Sequence, residues 1–247
     1  MAANTNERES GLVRSGQPTA ERVQGIFSTI APRYDRFNSM SSLGIDRAWR
    51  RATVRAARLT RASRVLDLCA GTGDLALALA TQGAPGEVVA TDFVPEMLDV
   101  AREKANAYHG PTALSFSVAD AQDLPFEDAS FNVVTVAFGV RNLPDRAANF
   151  AEALRVLKPG GRYVILEFSR PPIAPWRWGY HLYLRIVIPA IGGVLTGDRG
   201  SFVYLNDSIR SFPNQPTLAA ELRSAGFTAI SWENHTGGIV AIHTAVK

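Results

Sequence analysis

Arg64-Val65-Leu66-Asp67-Leu68-Cys69-Ala70-Gly71-Thr72-Gly73-Asp74 runs from an apolar segment through a glycine-rich turn into a second apolar run over residues 75–80. The pattern reads as a short buried strand, a tight turn and the opening of a helix. Gly71 and Gly73 let backbone approach a ligand where a Cβ would obstruct it. The N–H groups at the start of the helix favour an anionic group. A second strand over residues 87–91 ends on Asp92, close to the spacing at which a nucleotide-binding unit sets a carboxylate against a ribose. A lone G-x-G turn fits any α/β domain; the flanking strands and the acid at Asp92 turn the reading toward a nucleotide-type site.

The pattern continues in both directions. Pro95 falls in the first turn of a helix carrying Met97, Leu98 and Ala101, and a third strand over 114–118 runs to Asp120. Residues 131–138 are a Val-rich buried strand that exits into Gly139-Val140-Arg141-Asn142. Asp145 begins a helix with Phe150, Ala153, Leu154 and Leu157, which Lys158-Pro159-Gly160-Gly161 is expected to stop before a fifth strand over 162–168. A helix over 218–225 ends at Gly226, and residues 227–234 and 238–244 form a hairpin around Thr236-Gly237-Gly238. The fold expected is α/β: a Rossmann-like, doubly wound, mostly parallel seven-stranded sheet with a C-terminal antiparallel hairpin. Ligands of such sheets lie outside the carboxyl ends of the strands, where Asp67, Asp92, Asp120, residues 138–142 and Glu167 all fall.

Two regions stand outside this alternation. Residues 1–18 are polar and expected to form a flexible tail. Residues 19–62 read as an N-terminal helical cap or lid, with Val23, Ile26, Phe27 and Ile30 on one face, a break at Ala31-Pro32 and a further helix over 45–59. The arginines of that helix read most simply as a solvated face, or as a draw toward an anionic membrane. Residues 63–247 form the α/β domain, including an apolar helical insertion over 170–213. There Trp176, Trp178, Tyr180, Tyr183, Leu184, Ile186, Val187 and Ile188 precede Pro189 and Gly192-Gly193, which are expected to break the segment. Such an insertion packs on the domain edge or against a second subunit, or else walls a lipid-like substrate and touches a bilayer.

Composition narrows the class. The 247 residues carry a formal net charge of +3 and one cysteine, so neither a nucleic-acid surface nor a disulfide framework is expected. Residues 1–17 hold no apolar signal core and no run reaches 18 apolar residues, so a cytoplasmic protein is expected. Four histidines and Cys69 show no metal-ligand spacing, no lysine follows the glycines as in a P-loop, and no G-x-S-x-G elbow is present. Cys69 reads as a small buried residue.

Gly71-Thr72-Gly73-Asp74-Leu75-Ala76 satisfies the dinucleotide pattern G-x-G-x-x-A. Two residues oppose a dinucleotide: Asp67 lies where a carboxylate can receive an ammonium group, and Asp74 would meet a pyrophosphate with like charge. S-adenosylmethionine fits better, with its ribose toward Asp92 and its adenine toward Asp120 beside Phe93 or Leu124.

Together with that turn, Tyr34-Asp35, Asn38, Gly44, Arg47-Ala48-Trp49, Phe138-Gly139-Val140-Arg141-Asn142, Leu157-Lys158-Pro159-Gly160-Gly161 and Leu166-Glu167-Phe168-Ser169 resemble the menaquinone and ubiquinone biosynthesis C-methyltransferase family. That family lies within the class I S-adenosylmethionine-dependent methyltransferases, and the likeness spans residues 23–243. It implies that residues 63–247 are a methyltransferase domain and that Thr72, Asp92, Asp120 and Ala121 meet the cofactor; Asp67, Gly71, Gly73, Phe93 and Phe138 join the candidate cofactor set from their places at the turn and the strand ends. Cys69 stands where the general motif often has glycine, and Ala137 where some members carry serine. The implied activity is methyl transfer to a ring carbon of a prenylated quinol, most directly demethylmenaquinol; a benzoquinol of the ubiquinone pathway or another aromatic or lipid acceptor is the alternative. Other classes carried alongside are a nicotinamide oxidoreductase and a non-enzymatic binding subunit. Arg141 is the first candidate to stabilise the ring oxygen. Asn142 orients the quinol or caps its turn, and Tyr34, Asp35 and Asn38 close over the site, with Asp35 a candidate base. Glu167 is a further pocket carboxylate, and His235 and His243 rank below it. The implied partners are the prenylated quinol, a transient peripheral contact with the inner face of the plasma membrane, and a second copy in a homodimer.

Overall fold

The computed structural model of the chain describes residues 24, 25, 27–29, 31, 34–196 and 200–247. The tail over 1–18 and Val23, Ile26 and Ile30 lie outside the described residues. Seven strands form one sheet in the order β3-β2-β1-β4-β5-β7-β6: β1 Arg64–Leu68, β2 Glu87–Asp92, β3 Ala113–Val118, β4 Phe131–Ala137, β5 Leu157–Phe168, β6 Thr228–His235 and β7 Val240–Val246. The first five are parallel, β7 runs antiparallel between β5 and β6, and the pairing is that of the expected fold.

Alternate residues of each central strand serve two cores. Leu66, Leu68, Val134, Val136, Tyr163 and Ile165 face one side. Val65, Val133, Val164 and Leu166 face the other. Burial on both faces is what a parallel sheet covered by helices requires, and it explains the near-continuous apolar runs. The first side is covered by Phe150 of a helix over Arg146–Val156 and by Leu218 and Leu222 of a helix over Gln215–Ser224. Trp49 and Leu79 cover the second. In chain order the helices are α1 Tyr34–Ser41, α2 Asp46–Ala57, α3 Asp74–Ala78, α4 Pro95–Ala105, α5 Arg146–Val156, α6 Ala174–Thr196, α7 Gly200–Ser211 and α8 Gln215–Ser224.

The chain winds outward from β1 through β2 to β3 and then crosses back to β4 on the other side of β1. That reversal opens a crevice at the carboxyl ends of β1 and β4.

Three expectations are corrected. β5 begins at Leu157, not after the glycines: Leu157 pairs with Phe131, the register then slips, and pairing resumes from Val133 and Arg162. Gly160 adopts φ +75 and donates its N–H to the Lys247 carbonyl at 3.2 Å, so the glycines form an irregularity within a strand. Second, α6 continues through Pro189 and Gly192-Gly193. A proline removes one intrahelical bond and bends a helix without obliging the chain to leave it. The apolar face repeating through Tyr180, Leu184 and Ile188 packs on Ile209 and holds the axis. Third, α2 is not wholly solvated on its arginine side, because Arg50 is buried. Among the described residues no helix is long and apolar enough to cross a membrane.

Candidate active site

The glycine turn between β1 and α3 is built around Asp92. Its Oδ2 accepts the Gly71 N–H at 2.8 Å and its Oδ1 accepts the Val94 N–H at 2.9 Å, tying the end of β2 to the turn after β1. Burial pushes the Asp92 carboxyl up, and these backbone donors oppose the rise. Gly73 has φ +80, and a Cβ there would lie 2.9 Å from the Ala101 Cβ on α4. Glycine is required at that position by conformation and by crowding together.

Cys69 differs from expectation. It has φ +49 and lies half-buried on the cavity wall, packed against the edge of the core. A left-handed backbone at this position is the physical reason a glycine suits it. Burial and the nearby Asp92 and Asp67 charges hold its thiol well above the ordinary value, so it is not a thiolate nucleophile.

Two small adjoining cavities flank the turn and share Tyr34, Cys69, Gly71, Ala137 and Phe138. The first, about 100 Å³, is lined also by Asp92, Phe93, Asp120 and Ala121. Asp120 accepts the Gln122 N–H at 2.8 Å, which fixes the loop after β3. Leu124, offered as an apolar neighbour of the adenine, is instead a core residue and does not line it.

The second, about 40 Å³, is lined by Asp67, Thr72, Arg50 and Asp74. Asp67 is fully buried; its Oδ1 accepts the Thr135 hydroxyl at 2.7 Å, and its Oδ2 has no hydrogen-bond partner. Burial pushes its pKa up to about 7. A buried carboxylate oxygen without a partner on a cavity wall matches a cationic ligand group, here the ammonium of S-adenosylmethionine. Asp92 can accept ribose hydroxyls, and the loop of Asp120 and Ala121 borders the same space. The residues present fit that cofactor.

Thr72 turns away from this role in part: its hydroxyl donates to Asp35 Oδ1 at 2.5 Å. Lys104, near the end of α4, contacts Asp35 Oδ2 at 2.8 Å and also Asp74, while Arg50 reaches Asp74 at 3.2 Å. Asp74 is therefore neutralised by two cations, and its charge alone does not argue against a pyrophosphate. Asp35 belongs to this ion-paired group and lines none of the three cavities. Lys104 carried no sequence signal beyond a basic residue in a helix's last turn.

A third and larger cavity, about 400 Å³, lies beside these two and shares Tyr34, Phe138, Asn142 and Arg50 with them. Tyr34 and Asn38 come from α1, Asp46 and Trp49 from α2, Tyr180, Leu184 and Ile188 from α6, and Thr236 and Ile239 from the hairpin. Trp49 Nε1 donates to the Thr236 hydroxyl at 2.8 Å and Tyr183 donates to the Ser41 carbonyl at 2.5 Å, joining these distant segments. Phe138, at φ +58, stacks against Phe168 with ring centres 4.7 Å apart.

Arg141 and Asn142 both line this cavity. Arg141 pairs with Glu167 Oε1 at 2.9 Å, and Asn142 donates to the Phe138 carbonyl at 3.3 Å. Glu167 is fully buried behind the cavity and also accepts the Phe168 N–H, so it anchors Arg141 and is not a carboxylate open to the pocket. Burial raises the Glu167 pKa and Arg141 opposes that rise. His243 is buried against the Gln215 carbonyl with its pKa depressed to about 4 by burial, and His235 lies 3.5 Å from Glu233. Neither histidine lines a cavity. Asp46 and Arg50 were not singled out from the sequence; only their position on the lid helix, one turn apart, hinted at a shared face.

The ubiE/COQ5 methyltransferase family matches residues 16–247. A demethylmenaquinone methyltransferase from Clavibacter sepedonicus is 45% identical over 226 residues, covering 92% of this chain and 90% of the relative. A ubiquinone/menaquinone biosynthesis C-methyltransferase UbiE from Proteus mirabilis is 42% identical over 226 residues, covering 91% of this chain and 90% of the relative. The solved structure of the [4+2]-cyclase SpnF superposes with a TM-score of 0.68 at 19% identity, covering 94% of this chain and 97% of that one, a likeness of fold alone. The matched span takes in the glycine turn, Asp67 and Asp92, and on that match the chain belongs to the ubiE/COQ5 methyltransferase family and is an S-adenosylmethionine-dependent C-methyltransferase.

Proposed function

We propose that the protein methylates a ring carbon of a prenylated quinol, converting demethylmenaquinol to menaquinol. The observation that carries this reading is the apolar cavity of about 400 Å³, which shares Tyr34, Phe138 and Asn142 with the neighbouring cofactor cavity. A flat aromatic head fits between Phe138 and Tyr34, and an isoprenoid tail fits along Tyr180, Leu184, Ile188 and Ile209. S-adenosylmethionine, held by Asp67, Asp92 and the loop of Asp120, supplies an already activated methyl group, so the chain's own work is alignment and exclusion of water. Arg141 donates to a ring oxygen and holds the ring in place, and Glu167 fixes its guanidinium. Asn142, at the border of both cavities, orients the ring.

The outer face of α6 exposes Trp178, Leu182 and Ile186, four residues apart, and Trp176 and Leu43 are exposed at the cavity. Such a stripe suits a peripheral seat on the cytoplasmic leaflet from which the quinol is drawn. The test is transfer of labelled methyl from S-adenosylmethionine to a panel of reduced quinones. Turnover of demethylmenaquinol above demethylated benzoquinols is the expected result. Cofactor binding without transfer to any quinol would remove the substrate assignment.

A further inference from the structure

We infer that Asp46 is the group that accepts the proton of the acceptor ring's hydroxyl during methyl transfer; this rests on the quinol reading above. Among the described residues Asp46 is the one carboxylate lining the acceptor cavity. Its side chain is buried at the first turn of α2, where Oδ1 accepts the Ser42 hydroxyl at 2.8 Å and Oδ2 pairs with Arg50. With the Arg47 N–H as a third donor, the carboxylate's roughly four lone-pair sites still leave one for a further donor. Arg50 lines both the acceptor and the cofactor cavities, so the pair sits where the two meet. The charged and titratable groups around Asp46 are Arg50 on its own helix, Asp74 beyond Arg50, and Tyr34, Arg141, Tyr180 and Tyr183 on the other cavity walls.

The chemistry suits an acid of this strength. Burial pushes the Asp46 carboxyl up, but Ser42 and Arg50 together bring it below its ordinary value, so it stays ionised at working pH. A resting phenol, with a pKa of about 10, does not surrender its proton to such a carboxylate. The hydroxyl becomes strongly acidic once the neighbouring ring carbon bonds to the methyl carbon. In that step the carbon–sulfur bond breaks with its electron pair left on sulfur, and a ring π pair forms the new carbon–carbon bond. The O–H proton passes to Asp46 as the O–H pair closes a carbonyl. Once methyl transfer is complete and the site reopens to solvent, the ring C–H proton leaves to water, its electron pair restores the aromatic ring, and Asp46 returns its proton to the oxygen. One proton is released overall and the carboxylate is regenerated.

Wild type, Asp46→Asn and Asp46→Glu are to be compared on demethylmenaquinol from pH 6 to 9, with cofactor affinity measured by calorimetry as a check on the intact cofactor site. Wild type is expected to show a flat kcat. The Asn variant should be slower by about 100-fold at pH 7 and gain about tenfold per pH unit, because the ring must then ionise beforehand. The Glu variant should keep the flat profile. Independently of turnover, 1-naphthol binding to the cofactor-free protein, followed by tryptophan fluorescence, should weaken about 3- to 10-fold in the Asn variant. An Asn variant within threefold of wild type, or one slowed equally at every pH, overturns the inference. Where that variant does not fold, the Glu variant decides: a flat profile supports Asp46, and a slope of tenfold per unit overturns it. Failure of wild type on every quinol would instead overturn the substrate reading and leave a distinct signature.

Discussion

The cofactor cavities around Gly71 are walled mainly by residues 67–144, at the ends of neighbouring strands, whereas the acceptor cavity before Arg141 collects residues from Phe27 to Ile239. The first is the more polar of the two and is organised by backbone donors to carboxylates, such as Gly71 and Val94 to Asp92. The second is mostly apolar, its few polar groups paired in advance, as in Arg141 with Glu167 and Asp46 with Arg50. On the proposed reading, the difference teaches that the two ligands are recognised by largely independent parts of the chain that meet along Tyr34, Phe138 and Asn142. That independence can be broken or sharpened.

The largest effect is expected from Asp92→Ala. It removes a ribose acceptor and leaves the Gly71 and Val94 N–H groups without their partner, so S-adenosylmethionine affinity should fall by about 100- to 1000-fold in calorimetry. Quinol analogue binding should change less than about threefold; a comparable loss there would join the two regions. Next, Leu184→Asp sets a charge in the apolar wall. The KM for a prenylated quinol should rise by about 30- to 100-fold while cofactor affinity holds within about twofold. Equal damage to a quinol without a tail would move the tail-binding surface away from α6.

A smaller effect concerns pH. Asp67, raised to about 7, must ionise to receive an ammonium group. Cofactor affinity should therefore fall about tenfold per unit below pH 7, and binding at pH 6 should release about one proton, seen as a buffer-dependent binding enthalpy. In the cofactor-free protein the folded chain holds this proton more tightly than the unfolded chain. Its contribution to stability is thus present below about pH 4 and lost as pH rises through about 7. Asp67→Asn should abolish both dependences. The smallest effect is that of Tyr183→Phe, which cuts the bond to the Ser41 carbonyl between α6 and α1. About 1 kcal/mol of stability and a two- to fivefold rise in quinol KM are expected, with cofactor affinity unmoved.

The two regions also differ in how far they can be read from residues alone. The strand, Gly71, Gly73 and Asp92 are close in sequence, and their spacing carries the geometry, so the fold and the place of Asp67 and Asp92 beside the turn are legible in it. Asp35 and Glu167 were legible as acids at promising positions, but their partners, Lys104 and Arg141, come from other segments. A pattern along the chain does not reveal that a carboxylate is already paired. Asp46 and Arg50 read as ordinary members of a charged helix, because only packing of α2 against the sheet turns that face inward. The helix through Pro189 and the strand through Gly160 show the same limit: local breakers were overruled by apolar packing and by sheet pairing.

The hairpin that follows α8 has a consequence for the order in which the protein is made. Thr236 accepts from both Trp49 and Trp176, and β7 must slide between β5 and β6 before it can do so. The ribosome releases the strands around the glycine turn long before residues 236–246. The half of the sheet around the glycine turn is therefore synthesised well before Thr236 and Ile239 can complete the wall of the hydrophobic chamber, whose apolar side chains stay uncovered in the interval.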